Sequence, residues 1–367
     1  MSGQRIAFFG SSLVSAYWNG AATYYRGLLR HLHALGFRAT FYEPDAFERQ
    51  EHRDIDDPPW CRVEVYSATD VRDVWRVLEE ARDADVLVKA SGIGVWDELL
   101  ETAVPEVTRP GATSVYWDVD APATLARLRD HPADALRRAV PNYDLVLTYG
   151  GGDPVVRAYR LLGARVCVPV YNAVDPQTHF RVATDRRFEC DLALLANRLP
   201  DRESRVDEFF VAAARALPAK RFLLGGSGWD DKPLPDNVSR LGHVYTADHN
   251  ALNSSAVALL NVARDSMADV GWSPATRVFE AAGAAGCVIT DAWRGIEDFL
   301  DPGAEVLVAH DGDDVATIVG ALTPARGRAI GEAARRRVLA HHTYAARARQ
   351  VADLLDCGPL PAMEAVL

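Results

Sequence analysis

Short apolar runs alternate with longer amphipathic runs along most of the chain, and this alternation constrains the fold more than any other feature. The first run, Ile6–Phe9, precedes a polar loop and a helical pattern that ends before Gly36. Strands that alternate with helices in this way build parallel βαβ units and doubly wound sheets. Because 367 residues exceed one ordinary core, we expect two such α/β domains.

The alternation is interrupted once, by a polar and turn-rich segment over residues 171–187, and it restarts at Asp191. We therefore predict a Rossmann-like domain over 1–170, a linker over 171–187 and a second Rossmann-like domain over 188–340. A terminal helix and tail over 341–367 could pack back on the first domain. Two doubly wound domains that face each other enclose a central cleft at the carboxyl ends of their strands, where ligands bind in open α/β sheets.

Charge and cysteine content exclude several classes of protein. The net charge of −11 repels a polyanion, so no nucleic acid partner is expected. The 5 cysteines contain no CxxC pair, which disfavours a structural zinc site and a disulfide framework and suits a reducing cytoplasm. No apolar run reaches the ~18 residues of a membrane span. The histidines, His249 among them, show no metal-ligand spacing to Asp or Glu. We expect a cytoplasmic protein with no membrane span and no bound metal, and the oligomeric state stays open.

The most informative local pattern runs from Gly271 to Glu280. Ser273 and Pro274 predict a helix start, with Ser as the N-cap and Pro at the first helical position. The free N–H groups of that first turn and the helix dipole favour an anion, and Arg277 can hold a phosphate with two hydrogen bonds. Glu280 follows on the same side of the helix, where its carboxylate can accept hydrogen bonds from both hydroxyls of a ribose. The alternative is a structural helix that binds no ligand.

A longer segment around this helix carries a family resemblance. From Ser273 the chain reads SPATRVFEAAGAAGCVITDAWRGIEDFLDPGAE, which resembles the C-terminal half of GT-B glycosyltransferases, most closely the spore-maturation CgeB-like group. The likeness continues upstream in the glycine turn Gly225–Trp229, the segment Leu260–Met267, and the stretch Tyr171–Pro176 with His179. It implies a GT-B fold and transfer of a sugar from a UDP- or dTDP-linked donor to a hydroxyl or amine of a small-molecule or glycan acceptor. The resemblance implies neither a metal nor a cofactor beyond the nucleotide-sugar.

One departure from the family pattern leaves the stereochemical outcome open. Many retaining GT-B enzymes carry two glutamates separated by seven residues, and here Glu280 matches the second while Trp272 stands at the first. Two rival functions on the same fold also stay open. One is a nucleotide-sugar 2-epimerase, and the other is a non-catalytic module that binds nucleotide-sugars.

In the second domain, the resemblance implies a donor site at one edge of the sheet. Arg198, Arg202 and Arg205 follow its first strand, and we expect Arg202 to neutralise the departing diphosphate, although a solvated basic turn is the alternative. The glycine turn would approach the base or the phosphates. The residues predicted to bind the donor, in both domains, are Asn19, Gly20, Arg202, Gly226, Ser227, Arg264, Ser273, Thr276, Arg277 and Glu280.

In the first domain, the loop Gly10–Gly20 joins the first strand to the first helix. Asn19 and Gly20 would let backbone N–H groups approach the donor diphosphate, and Tyr17 and Trp18 could stack on the acceptor. The alternative is a surface loop whose aromatic rings pack on their own domain.

Two aspartates follow another strand of the first domain, in the sequence VYWDVDAP. Asp118 is the leading candidate for the general base that deprotonates the acceptor, and Asp120 is the second. A metal site formed by the two carboxylates is a less favoured alternative. Asp120 could instead cap the helix that begins near Pro122.

Overall fold

The computed structural model describes residues 3–17 and 19–356. The chain divides into two compact units. The first contains the residues before Asn172 and after Thr343, and the second is the continuous stretch Asn172–Thr343. The segment 172–187, for which the sequence suggested a linker, lies within the second unit.

The first unit is built on a seven-stranded sheet in which each strand is parallel to its neighbours. Its strands are β1 (Arg5–Phe9), β2 (Arg38–Asp45), β3 (Cys61–Ser67), β4 (Val86–Ala90), β5 (Thr113–Asp118), β6 (Leu145–Thr148) and β7 (Cys167–Pro169). The strand order β3-β2-β1-β4-β5-β6-β7 reverses between β1 and β4, which is the topological switch point of a doubly wound sheet. Strand β1 is buried after its first residue because it is a central strand.

Helices connect most of these strands, as is usual for parallel pairing, while residues 46–60 join β2 to β3 without a helix. The helices are α1 (Ala22–Ala34), α2 (Val71–Ala81), α3 (Asp97–Val107), α4 (Ala121–Asp130), α5 (Ala135–Ala139) and α6 (Gly152–Leu161), with a 3₁₀ turn at Val140–Asn142. The apolar periodicity of Val71–Ala81 predicts a helix, and α2 has the same bounds. The Asp70 side chain caps it by accepting a hydrogen bond from Arg72 N at 3.0 Å.

The second unit repeats the plan with a six-stranded parallel sheet. Its strands are β8 (Leu192–Leu195), β9 (Phe222–Gly225), β10 (Val238–Gly242), β11 (Ala258–Asn261), β12 (Val288–Asp291) and β13 (Leu307–Ala309). Their order is β10-β9-β8-β11-β12-β13, so the switch point lies between β8 and β11.

The helices of the second unit include one that is continuous through a π-helical turn. This helix comprises α7 (Pro200–Val206), the π turn Asp207–Val211 and α8 (Ala212–Ala216). The others are α9 (Thr246–Ser255), α10 (Asp265–Val270), α11 (Thr276–Gly283), α12 (Gly312–Ala321) and α13 (Pro324–His341), with a 3₁₀ turn at Ile296–Asp298. The core lies between these helices and the sheet, and Leu192, Phe210, Phe222 and Ile289 are fully buried in it.

The last described element, α14 (Tyr344–Asp356), belongs to the first unit. It packs against α1 so closely that a Cβ added to Gly27 would lie 2.3 Å from the Tyr344 ring. Arg347 Nε donates to Tyr171 O at 3.2 Å, and Gln350 Nε2 donates to Pro169 O at 2.9 Å. These contacts hold α14 against α1, the end of β7 and Tyr171.

Two parallel, doubly wound α/β units confirm the predicted fold class. In the part of the chain that the structure describes, no helix combines the length and the apolar character that crossing a bilayer demands.

Candidate functional site

The predicted donor residues of the second unit lie at or beyond the carboxyl ends of its strands. Gly226 and Ser227 follow β9, Arg264 follows β11, and α11, which carries Arg277 and Glu280, connects β11 to β12. Strands β8 and β11 are neighbours although they are distant in sequence. At such a reversal of strand order, the connections diverge and leave a crevice in which open α/β sheets bind ligands.

The glycine turn after β9 is held against the loop after β8. Gly226 has a φ of +117°, and a Cβ there would lie 2.1 Å from Ala196 O, so only glycine fits. Ser227 N donates to Asn197 Oδ1 at 3.0 Å, and Arg198 N donates to Ser227 O at 3.0 Å. Local packing therefore accounts for the glycine, and a donor contact at this turn stays a prediction.

Two of the three arginines that follow β8 are neutralised by nearby carboxylates. Arg198 forms ion pairs of 2.8 Å with Glu203 and 2.7 Å with Asp231. Arg205 contacts the fully buried Asp291 at 2.6 Å. These two guanidinium groups therefore brace the loop and the end of β12.

Arg202 and Arg264 are half-buried at the starts of two helices. Arg202 lies in the first turn of α7, and Arg264 occupies the N-cap position of α10. Their expected contacts with the donor stay predictions.

The predicted start of the helix that carries Glu280 is wrong. Helix α11 begins at Thr276 with Ala275 at the N-cap position, and Ser273 Oγ instead donates to Gly271 O at 3.0 Å. The buried Asn172 side chain instead links the residues on either side of the helix start. Its Nδ2 donates to Pro274 O at 3.0 Å, and its Oδ1 accepts from Thr276 Oγ1 at 3.1 Å.

Trp272, which stands where retaining enzymes carry a glutamate, is locked in place. Its backbone has a φ of +45°, and its N–H donates to Arg294 O at 2.7 Å. The indole Nε1 donates to Asp298 Oδ2 at 2.7 Å. A Cβ added to Gly295 would lie 2.1 Å from the indole, so the ring and the turn after β12 fit each other closely.

The structure brings Arg277 and Glu280 together with two histidines. Glu280 is only 6% exposed, and its Oε1 lies 3.7 Å from His179 Nε2. His179, His249 and Glu280 each contribute one potential metal-ligand atom, and these three atoms lie within 4.8 Å of one another. Arg277 Nη1 is buried and finds no hydrogen-bond partner among the described residues. Sequence spacing missed His249, and it gave His179 no role beyond the family likeness.

The charges of this cluster compensate one another. Burial alone would raise the pKa of Glu280, but His179, Arg277 and His249 together bring that pKa below its usual range. Burial, aided by the Arg277 charge, lowers the pKa of His249 to about 4, so this imidazole is neutral at pH 7. The cluster thus offers an ionised carboxylate as acceptor beside a guanidinium with an unused donor, which suits a ligand that carries both hydroxyl groups and negative charge.

In the first unit, Asp118 is fully buried, and its expected role as the general base stays a prediction. Its carboxylate accepts hydrogen bonds from Ser91 Oγ at 2.8 Å, Thr124 Oγ1 at 3.0 Å, Asp120 N at 2.9 Å and Tyr159 Oη. Burial raises its pKa, and these donors oppose the rise. Asp118 therefore holds the connection between β5 and α4. Asp120 occupies the N-cap position of α4, although its side chain accepts no capping hydrogen bond.

The loop after β1 is organised by Asn19. This buried side chain accepts from Ser11 Oγ at 2.9 Å and donates to the carbonyl oxygens of Ser12 and Ser15 at 2.8 and 3.0 Å. Asn19 N also donates within the loop, to Ala16 O at 3.1 Å. These bonds occupy the side-chain amide and the backbone N–H of Asn19, and the expected approach of that N–H to the donor diphosphate stays a prediction.

The remaining predicted residues of that loop are exposed or undescribed. Gly20 is exposed, and a Cβ there would meet nothing within 4 Å, so its backbone has room beside it. Tyr17 is 38% exposed and stacks on His52 with ring centroids 4.1 Å apart. Trp18 lies outside the described residues. Tyr17 is thus an accessible aromatic ring, as acceptor stacking would require.

Comparison with known proteins relates part of the second unit to a family and the whole fold to solved structures. Residues 202–353, which include α11 and the turn after β12, match a family model described as glycosyl transferase-like. No curated protein sequence matches the chain significantly.

Solved structures resemble the chain over nearly its whole length. Sucrose-phosphate synthase from Thermosynechococcus elongatus gives a TM-score of 0.71 at 16% identity, covering 96% of this chain and 98% of its own. HepE from Anabaena, solved with UDP and glucose, gives 0.70 at 14% identity, covering 96% and 100%. An alpha-glucosyltransferase solved with UDP and a DNA 13-mer gives 0.70 at 10% identity, covering 97% and 100%. The fold is therefore that of GT-B glycosyltransferases.

Proposed function

We propose that the protein is a GT-B glycosyltransferase of the CgeB-like group, which transfers a sugar from UDP to an acceptor hydroxyl or amine without a metal. The observation that carries this proposal is the buried, ionised Glu280 beside Arg277 on α11, at the ligand-binding edge of the second sheet. The match to a glycosyl transferase-like family over the same residues supports it.

The ribose is the part of the donor that Glu280 would recognise. A carboxylate can accept one hydrogen bond from the 2′-hydroxyl and one from the 3′-hydroxyl. Burial strengthens both bonds because water competes less for the oxygens. This arrangement favours UDP over dTDP, since the thymidine nucleotide has no 2′-hydroxyl.

The diphosphate is the part that arginine would recognise. Arg277 Nη1 is buried and can donate to a phosphate oxygen, and Arg202 would add a second cation. In the reaction, the acceptor oxygen or nitrogen bonds to the anomeric carbon while the bond from that carbon to the diphosphate oxygen breaks. The leaving diphosphate takes the electron pair, so fixed cations beside it lower the barrier.

The acceptor proton must pass to a base, and the hydrogen bonds that surround the buried Asp118 favour Asp120 over it for this role. Asp120, half-buried at the start of α4, is the candidate that we keep. We further propose that the first unit binds the acceptor, with Tyr17 as a stacking surface. Trp272 supplies no carboxylate to the anomeric carbon, so the chemistry does not use a second glutamate at that position.

Replacement of Glu280 by Ala tests the proposal. We expect UDP to bind about 2–4 kcal/mol more weakly, because two hydrogen bonds to a charged group are lost. Calorimetry should also show that wild-type protein binds 2′-deoxy-UDP about tenfold more weakly than UDP, and that Glu280→Ala no longer distinguishes the two.

Glu208→Ala is the matched control, because Glu208 is an exposed glutamate of the same unit. Equal UDP affinity in Glu280→Ala and the control would refute the ribose assignment. Product analysis with UDP-sugars alone separates transfer from epimerisation, because inversion at C2 without an acceptor would identify an epimerase.

A further inference from the structure

The side chains around Glu280 have a property that nucleotide binding does not require. One ligand atom from each of His179, His249 and Glu280 converge within 4.8 Å, and the His179 Nε2 to Glu280 Oε1 separation is 3.7 Å. Two ligands of one tetrahedral Zn²⁺ ion, each about 2.0–2.1 Å from the metal, lie only slightly closer to each other than that. His179 Nε2 and Glu280 Oε1 therefore already lie near the required separation, while the spacing of up to 4.8 Å within the cluster must shrink for all three donors to bind one ion.

The surroundings of both histidines favour metal binding. His179 Nδ1 lies 2.9 Å from Thr178 Oγ1, which fixes the ring and leaves Nε2 facing Glu280. His249 Nε2 lies 3.2 Å from Val244 O, which fixes the second ring. Metal-binding histidines almost always use their other ring nitrogen in this way, and such contacts hold the ligand in place before the ion arrives.

We propose that His179, His249 and Glu280 bind a divalent transition-metal ion, with Zn²⁺ as the best match, and that this ion competes with the nucleotide for Glu280. Two imidazoles and one carboxylate are a ligand set typical of Zn²⁺, with a fourth position left for water or an anion. The competition rests on the proposed function, whereas metal binding does not. The ion is an inhibitor of the transferase and takes no part in sugar transfer.

Arg277 limits the affinity of this site for a divalent metal ion. Its guanidinium opposes a second cation nearby, so we expect binding weaker than at a structural zinc site. Its buried Nη1, which has no partner among the described residues, can donate to an anion in the fourth metal position and so offset part of that repulsion.

Cobalt absorption and competition test the proposal on the full chain. Co²⁺ added to metal-free protein should give the visible absorption of a tetrahedral site, and Zn²⁺ should abolish it. In the variants His249→Ala and Glu280→Gln, half-maximal absorption should require at least about tenfold more Co²⁺ than in the wild type. His33→Ala is the control because His33 is exposed on α1, and it should match the wild type. UDP should displace Co²⁺ from wild-type protein.

The outcomes separate this proposal from the proposed function. An equal Co²⁺ signal in wild type, His249→Ala and Glu280→Gln would overturn the metal site. No Co²⁺ signal together with Glu280-dependent UDP binding would overturn it as well, while leaving the ribose assignment intact. A Glu280-dependent signal that UDP fails to displace would overturn the competition and the ribose assignment together. Thermal unfolding of each variant checks that it is folded, and the half-exposed His249 should tolerate replacement.

Discussion

At the scale of single residues, the loop that follows β8 depends on a compact group of charges. The Glu203 carboxylate accepts hydrogen bonds from Arg198 Nε and Nη2, each at 2.8 Å. Lys232 Nζ also donates to it at 2.8 Å. The hydrogen bond from Arg198, followed by that from Lys232, lowers the pKa of Glu203 to about 2. This network fixes the loop that carries the arginine predicted to meet the diphosphate, Arg202.

Replacing Glu203 by Gln should therefore destabilise the protein in a pH-dependent way. A carboxyl group whose pKa is depressed by folding stabilises the native state above its unfolded pKa, about 4.3. That stabilisation is lost as the pH falls through the folded value of about 2. The melting temperature of Glu203→Gln should lie below that of wild type at pH 7, and the gap should narrow between pH 4 and pH 2. The exposed neighbour Glu208→Gln should show no such convergence; a gap independent of pH would contradict this account.

The individual residues of the candidate site differ in how well the sequence predicted them. Arg277 and Glu280 lie on one short helix, so their spacing alone predicted their proximity. His179 precedes that helix by many residues and His249 lies on α9, and only the packed structure brings them together. Asp118 also ends a strand, but the sequence could not show that four hydrogen-bond donors surround its buried carboxylate.

At the scale of elements, the apolar runs of the sequence predict the central strands and miss three of the four edge strands. β3, β10 and β13 lie at an edge of their sheet and were not predicted, whereas the edge strand β7 was. An edge strand has one neighbour, so polar side chains are tolerated on it; β10, with the sequence VSRLG, has two exposed residues. Central strands such as β4 are buried throughout, and their apolar runs reveal them.

Helix packing at this scale gives a test with an internal control. Gly27→Ala should destabilise the protein by about 1–3 kcal/mol or more, because the new methyl group would lie 2.3 Å from the Tyr344 ring and force α1 and α14 apart. Gly20→Ala is the same chemical change at a position with nothing within 4 Å. Denaturant unfolding should show a lower midpoint for Gly27→Ala only, and equal midpoints would show that the contact does not determine stability.

At the scale of the whole molecule, the second unit is one continuous stretch of chain with its own sheet and core. We therefore expect the fragment 172–343 to fold by itself with a cooperative thermal transition. If Glu280 and Arg277 provide most of the nucleotide contacts, this fragment should bind UDP with an affinity within about tenfold of the full chain. A folded fragment that fails to bind UDP would show that the donor site needs residues of the first unit.

The position of α14 in the first unit has a consequence for how the protein is made. Domains generally fold in the order in which they leave the ribosome, N-terminal first. Here the first unit lacks the helix that covers α1 until residues 344–356 have been synthesised. The second unit, whose residues all emerge earlier, can reach its native state while the first is still incomplete. Newly made chains would therefore acquire the proposed nucleotide site before they acquire a finished N-terminal half.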